Sequence, residues 1–234
     1  MLIFLLKAKH LPCNMHTLNE IRQLLLREIR MEWKQKYAIN GLLLYVISTI
    51  YVCYLSFKSL VDVPTWNALF WIILLFTAVN ATSKSFSSES RGRLLYYYTL
   101  AGAPAIILAK IIYNALLMLL ISLAGYVIYS LLIGDLVQDK PYFIIGLLLG
   151  ATGFSSVLTL VAAIASKANN SGTLMAILSF PLIIPMLIVL IRFSKNAADG
   201  LDHSIQQPYI LALILINVIV VVLARLLFPF LWRD

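Results

Sequence analysis

The chain is 234 residues long, 62% hydrophobic and only 12% charged, with a mean hydropathy of +0.93 and a formal charge of +8. Soluble domains are about half apolar and about one quarter charged, so this composition excludes a water-soluble globule and points to a membrane protein. The positive charge carries no nucleic-acid-binding motif and is sorted by position along the chain, which excludes a nucleic-acid partner and points to membrane topology and anionic lipid instead.

In chain order, "MLIFLLKAKHLPCN" opens with an apolar run shorter than the core of a signal peptide, so no cleaved signal is expected. Met15 directly precedes a complete helical beginning, and translation is expected to start there; the intact mass of natively expressed protein tests this. From Leu18, the residues Ile21, Leu25, Ile29 and Trp33 recur at helical spacing, with Arg22, Arg27, Arg30, Lys34 and Lys36 mostly elsewhere on the wheel. Thr17 and Glu20 fit a capping box. The pattern predicts an amphipathic helix in the membrane interface, with Trp33 as headgroup anchor, or a cytosolic helix packed on a partner; the two are compatible. Residues 1–38 thus form a tail and interfacial helix, and 39–234 a transmembrane domain.

Six apolar runs follow, at 39–57, 66–82, 105–133, 142–165, 173–191 and 209–232. A hydrocarbon core about 30 Å thick needs roughly 20 such residues per helix. Runs such as "LALILINVIVVVLA" lack the alternation of a barrel strand, so the expected fold is all-α, with six transmembrane helices behind the interfacial one. Pro64, Pro104, Pro141 and Pro208 stand before four of the runs, where a missing N–H costs nothing.

Lys7, Lys9, Arg22, Arg27, Arg30, Lys34, Lys36, Lys84, Arg91, Arg93, Lys167 and Arg233 fall on one side of this topology, against Lys58, Lys140, Arg192 and Lys195 on the other. The positive-inside rule places the first side, with both termini, in the cytoplasm. Lys110 and Arg225 lie within spans near that side and are expected to reach the headgroups. Every carboxylate falls outside the spans, which disfavours an ion-coupled carrier. Asn80, Asn114 and Asn217 lie inside spans and are expected to hydrogen-bond neighbouring helices.

Cofactor and catalytic residues are scarce. His10, His16 and His203 are the three histidines, none in a span; His203 sits near Asp199 and Asp202 without a metal-ligand spacing. Cys13 and Cys53 fall in the tail and mid-membrane, and no CxxC or nucleophilic pair is suggested. No phosphate-binding GxxxxGK[ST] loop occurs, so any ATP must be hydrolysed by another subunit. No catalytic, cofactor-binding or metal residue is assigned, and an enzyme is not expected. Gly146, Gly150 and Gly153 put a small-residue face on the fourth span for close helix approach. Pro181 and Pro185 remove two donors within the fifth and are expected to kink it, as a hinge or as fixed packing.

The connection "ESRGRLLYYYTLAGAPAIILAK", 89–110, is built like a docking loop: Gly92 breaks the preceding run, 94–100 can form a short helix, and Gly102 with Pro104 turns the chain back into the membrane. An anchored loop with Tyr96, Tyr97 and Tyr98 in an aromatic belt reads equally well. Its Glu89, Gly92, Leu94, Pro104, Ala109 and Lys110 resemble the coupling-loop signature of ABC exporter membrane subunits, and Leu95 departs from the acidic residue more usual there. "GLLLGATGFSSVLTLVAAIASKANNSGTLMAILSFPLIIPMLI", with "APAIILAK" before it, resembles the CcmB family, haem exporter protein B of cytochrome c maturation.

The resemblance implies the permease subunit of a complex in the bacterial inner membrane, with a second copy of the chain as a candidate partner. A separate CcmA-like ATPase would contact Glu89, Arg91, Gly92 and Leu94, alongside CcmC-like and CcmD-like membrane proteins and a periplasmic CcmE-like haem chaperone. Haem is then a candidate cargo and ATP is consumed by the partner; a mechanical role fits a chain without intramembrane histidine. An exporter permease for a lipid or polysaccharide, or a scaffold without transport, stays open at this point.

Overall fold

The computed structural model describes residues 13–35, 37–57, 62–87, 102–166 and 171–232. They form α1 (Cys13–Gln35), α2 (Tyr37–Phe57), α3 (Val63–Ser87), α4 (Ala103–Ile133), α5 (Lys140–Ala165), α6 (Ser171–Ala198) and α7 (His203–Trp232). Among the described residues, α2 to α7 are the six helices long and apolar enough to cross a membrane, and they coincide in order with the six runs of the sequence. The chain is an all-α polytopic membrane protein.

Helix boundaries follow local chemistry at most ends. Pro64, Pro104 and Pro141 each lie in a first turn, as expected. Asp139 caps α5 by accepting from the Tyr142 N–H at 3.3 Å. Gly134 ends α4 with φ 109°, a conformation that only glycine adopts without strain. Pro208, by contrast, lies inside α7 rather than before it, because that helix begins at His203. Likewise α6 continues past 191 to Ala198, since Phe193, Ser194, Ala197 and Ala198 are all buried against the bundle.

The fourth membrane helix is the hub. α5 touches α3, α4, α6 and α7, and 72% of its most apolar stretch is buried, against 11% for α7. Its glycine face explains the packing. A Cβ on Gly146 would meet the Phe193 ring at 2.8 Å, and one on Gly150 would meet Trp71 at 2.7 Å and Leu190 at 2.8 Å. A Cβ on Gly153 would collide with Met186. Phe193, Leu190 and Met186 descend α6 in steps of three and four as the glycines ascend α5, so the helices pack antiparallel, knobs of one on the bare backbone of the other.

Polar pairs pin the remaining neighbours. Asn114 donates to Thr159 Oγ1 at 2.9 Å, and Ser155 donates to the Ile111 carbonyl at 3.1 Å, both joining α4 to α5. Asn217 donates to the Leu149 carbonyl at 3.3 Å, joining α7 to α5. Asn80 instead is exposed on α3. A buried triad joins α3 to α6: Trp71 Nε1 donates to Ser194 Oγ (2.7 Å) and Asn67 Oδ1 (3.1 Å), and Asn67 Nδ2 donates to the Ile191 carbonyl at 2.8 Å. Asn67→Leu is expected to destabilise the protein by about 1–2 kcal/mol, since the Trp71 and Ile191 groups lose a partner where no water replaces it. The thermal midpoint in detergent measures this, and an unchanged midpoint would show the triad to be energetically idle.

Pro181 and Pro185 both lie on the exposed side of α6, which stays helical through them, while Ile183 and Met186 face inward.

Candidate coupling site

Of the predicted coupling residues, Glu89, Arg91, Gly92 and Leu94 lie outside the described residues. Pro104, Ala109 and Lys110 are described, and α4 carries them into an arrangement with α1 that periodicity did not reveal. Gly102 is the N-cap of α4 and has no side chain to cap with; its N–H donates to Glu20 Oε2 at 3.4 Å. Two turns further along both helices, Lys110 Nζ lies 3.9 Å from Glu28 Oε1. Between them Leu24 packs against the buried cluster that contains Ile106, Ile107 and Ile111. Equal eight-residue steps on both helices mean that α1 runs beside α4 in the same direction. Phe228 and Ala224 of α7 close the same apolar cluster, so α1, the start of α4 and the end of α7 meet at the end of the bundle nearest the termini.

Two expectations are corrected here. Lys110 does not reach out to headgroups: it is 3% exposed, because α1 covers it and brings a carboxylate. Arg225 does stay exposed. Glu20 does not cap its own helix, since α1 already begins at Cys13; its carboxylate serves the N-terminus of α4, where the helix dipole favours negative charge. Glu20 is legible from sequence only as a local capping residue, and Glu28 is not singled out at all. Their i, i+8 spacing with Leu24 between was the available signal, and it reads as an inward face only once a neighbour is known.

The opposite end is closed by loops. Trp66 donates to the Gly134 carbonyl at 3.0 Å and accepts from Tyr129 OH at its own carbonyl, within a cluster that includes Phe70 and Phe143. The α4–α5 loop is tied to the end of α6 by Gln138 N–H to the Ala198 carbonyl and Asp139 N–H to the Ala197 carbonyl. His203 pairs with Asp139 at 3.0 Å, and its ring stacks on Tyr142 at 4.2 Å, rather than meeting Asp199 or Asp202. Burial alone would raise the Asp135 carboxyl, but Lys140 at 2.8 Å, the Val137 N–H and the Tyr126 hydroxyl outweigh it and hold the carboxyl below its usual range. Among the described residues no group of three or more His, Cys, Asp or Glu side chains could hold a metal ion. Nothing in these contacts builds a catalytic constellation.

Residues 19–228 match the family model described as CcmB protein. No curated protein matches the chain. The match takes in α1 from Asn19 onward, all six membrane helices as far as Phe228, and the segment 89–110, so the site where α1 meets α4 lies within it. On that extent the chain belongs to the CcmB protein family.

Proposed function

We propose that the chain is the membrane subunit of an ABC-type complex acting in cytochrome c maturation, with no ATPase site of its own. The observation that carries this reading is the family match across 19–228. A CcmA-like ATPase docks on the segment that includes Glu89, Arg91, Gly92 and Leu94, on the cytoplasmic side with both termini. The ATP-driven displacement enters α4 at Gly102 and Pro104. It passes to α5 through the Asn114–Thr159 and Ser155–Ile111 contacts, and on to α6 across the glycine face. Bending of α6 at Pro181 and Pro185 then delivers the motion to the opposite face. There, alongside CcmC-like and CcmD-like membrane proteins, a periplasmic CcmE-like chaperone receives haem or is released once loaded. His203, at the first residue of α7, pairs with Asp139, and no histidine lies deeper within the described spans to ligate haem in transit, which supports a mechanical role for this subunit.

Affinity co-purification of the tagged protein from its native membrane, with identification of partners and a haem absorbance spectrum, tests the assignment. Recovery of an ATPase with haem-handling proteins supports it. Recovery of an ATPase with lipid or polysaccharide enzymes would leave an exporter subunit of another cargo. Arg91→Glu, Gly92→Leu and Leu94→Glu are expected to reduce mature cytochrome c by more than tenfold while the complex still assembles. Loss of maturation only in step with loss of assembly would identify a scaffold instead.

A further inference from the structure

At the end of the bundle opposite the termini, the helices are tied in a closed ring. Trp66 of α3 donates to the Gly134 carbonyl at the end of α4 at 3.0 Å, and Tyr129 of α4 donates back to the Trp66 carbonyl at 2.9 Å. The Tyr126 ring of α4 lies 5.1 Å from that of Phe143 in α5. Asp139, the N-cap of α5, donates its N–H to the Ala197 carbonyl of α6 at 3.0 Å, beside the Gln138 N–H on Ala198 at 3.2 Å. Ser194 of α6 accepts from Trp71 of α3 at 2.7 Å, which closes the circuit. α7 joins the same ring through His203, which pairs with Asp139 at 3.0 Å and stacks on Tyr142.

Dividing a closed ring into two moving halves breaks at least two of its junctions. These junctions are also stiff. A backbone N–H cannot swing to follow a moving carbonyl, and Trp66, Phe70, Tyr129 and Phe143 are buried rings packed against one another, with little room to turn. A Cβ on Gly200, whose φ is 67°, would stand 3.3 Å from the Gln138 Cβ, so the α4–α5 loop and the α6–α7 corner touch. Where α1 meets α4 the contacts are of another kind. The Glu20 and Glu28 carboxylates, at the ends of flexible side chains, reach the Gly102 N–H at 3.4 Å and Lys110 at 3.9 Å. Long side chains keep contact while helices shift; a bond between two backbones does not.

We infer that the ends of α3 to α7 opposite the termini form one rigid plate, and that motion entering α4 displaces this plate as a body instead of parting α5 from the α6–α7 corner. The inference rests on the reading of α4 as the entry point of ATP-driven motion, and adds how that motion reaches the far face. Pro181 and Pro185 precede Ile191 and Ser194 in α6, so bending there happens before the plate and leaves its junctions whole. A partner on the far face then meets a surface of constant shape and changing position.

A disulfide across the plate tests this. Gln138→Cys with Gly200→Cys, in a chain carrying Cys53→Ser, puts two thiols where the Cβ atoms stand 3.3 Å apart, close to disulfide reach. The cross-linked protein, recognised by its shift on a non-reducing gel, should support as much mature cytochrome c as the two single-cysteine proteins, which control for strain at Gly200. A yield that falls only when the disulfide forms, and returns on reduction, would overturn the plate and leave the coupling reading standing. Failure of the disulfide to form in folded protein would overturn it as well. Hydrogen exchange at single-residue resolution needs neither a variant nor a partner, so it decides the plate even where no ATPase co-purifies. In the wild-type protein the Gln138 and Asp139 amides should exchange about tenfold more slowly than the Gly102 amide. Equal exchange would show that the loops part freely and that no plate exists.

Discussion

Gly150→Leu is expected to abolish the folded protein. A Cβ at this position already falls 2.7 Å from the Trp71 ring and 2.8 Å from Leu190, closer than real side chains come, and the rest of a leucine would have to follow it. Neither neighbour can yield cheaply. Trp71 is held by its indole N–H on Ser194 and Asn67 and stands edge-on to Phe154 at 6.1 Å, so turning it away breaks the triad that joins α3 to α6. Overpacking a close-fitted core costs about 1–3 kcal/mol for small additions and more where backbones must part. Separating α5 from both α3 and α6 uncouples the hub from two of its four partners. Gly146→Leu meets the Phe193 ring and should be nearly as severe, whereas Gly153→Ala meets the flexible end of Met186 and should cost least. Detergent-extract size-exclusion profiles and thermal midpoints of the three variants give the order. A Gly150→Leu protein with a wild-type profile would mean that α5 and α6 do not pack across this face.

Glu28→Ala is expected to lower stability by about 3 kcal/mol, because it removes the carboxylate that stands beside the buried Lys110 ammonium. That lies at the lower end of the cost of breaking a buried pair, as suits a contact of 3.9 Å whose acid is 16% exposed. Removing both charges, as Glu28→Leu with Lys110→Met, should recover most of the loss, since similar-sized apolar groups satisfy the same space. The exchange Glu28→Lys with Lys110→Glu should recover part of it. Thermal midpoints of the four proteins rank these outcomes. If Glu28→Ala alone left the midpoint unchanged, α1 would not be what tolerates Lys110 in α4. The consequence extends to the proposed coupling: α4 is the first described helix after the proposed docking segment, and α1 brings Glu20 and Glu28 to its first turns.

Gly102 shows how closely local and tertiary information are interwoven at this site. Gly102 and Pro104 are recognisable as a turn into a helix from their chemistry alone, because glycine relaxes the backbone and proline suits a first turn. That the capping acceptor would come from Glu20, more than eighty positions earlier, has no local trace. His203 is similar: Asp199 and Asp202 are near in sequence, yet its partner is Asp139 from the preceding loop, since the two loops are stitched together by backbone hydrogen bonds.

By itself the sequence determined the solvent, the number of membrane helices, their order and the glycine face of α5. Each of these rests on a property that accumulates along a single segment: twenty apolar residues cross a bilayer whatever surrounds them, and a small-residue stripe is small in any fold. Only the tertiary structure decided which residues face which. It carried α6 to Ala198 and started α7 at His203, because buried neighbours extend a helix past the point where its hydropathy fades. It also turned Lys110 from a headgroup-seeking cation into the partner of Glu28. A charge follows the nearest opposite charge in low dielectric, and where that charge lies is a property of how helices pack, not of how either one reads alone.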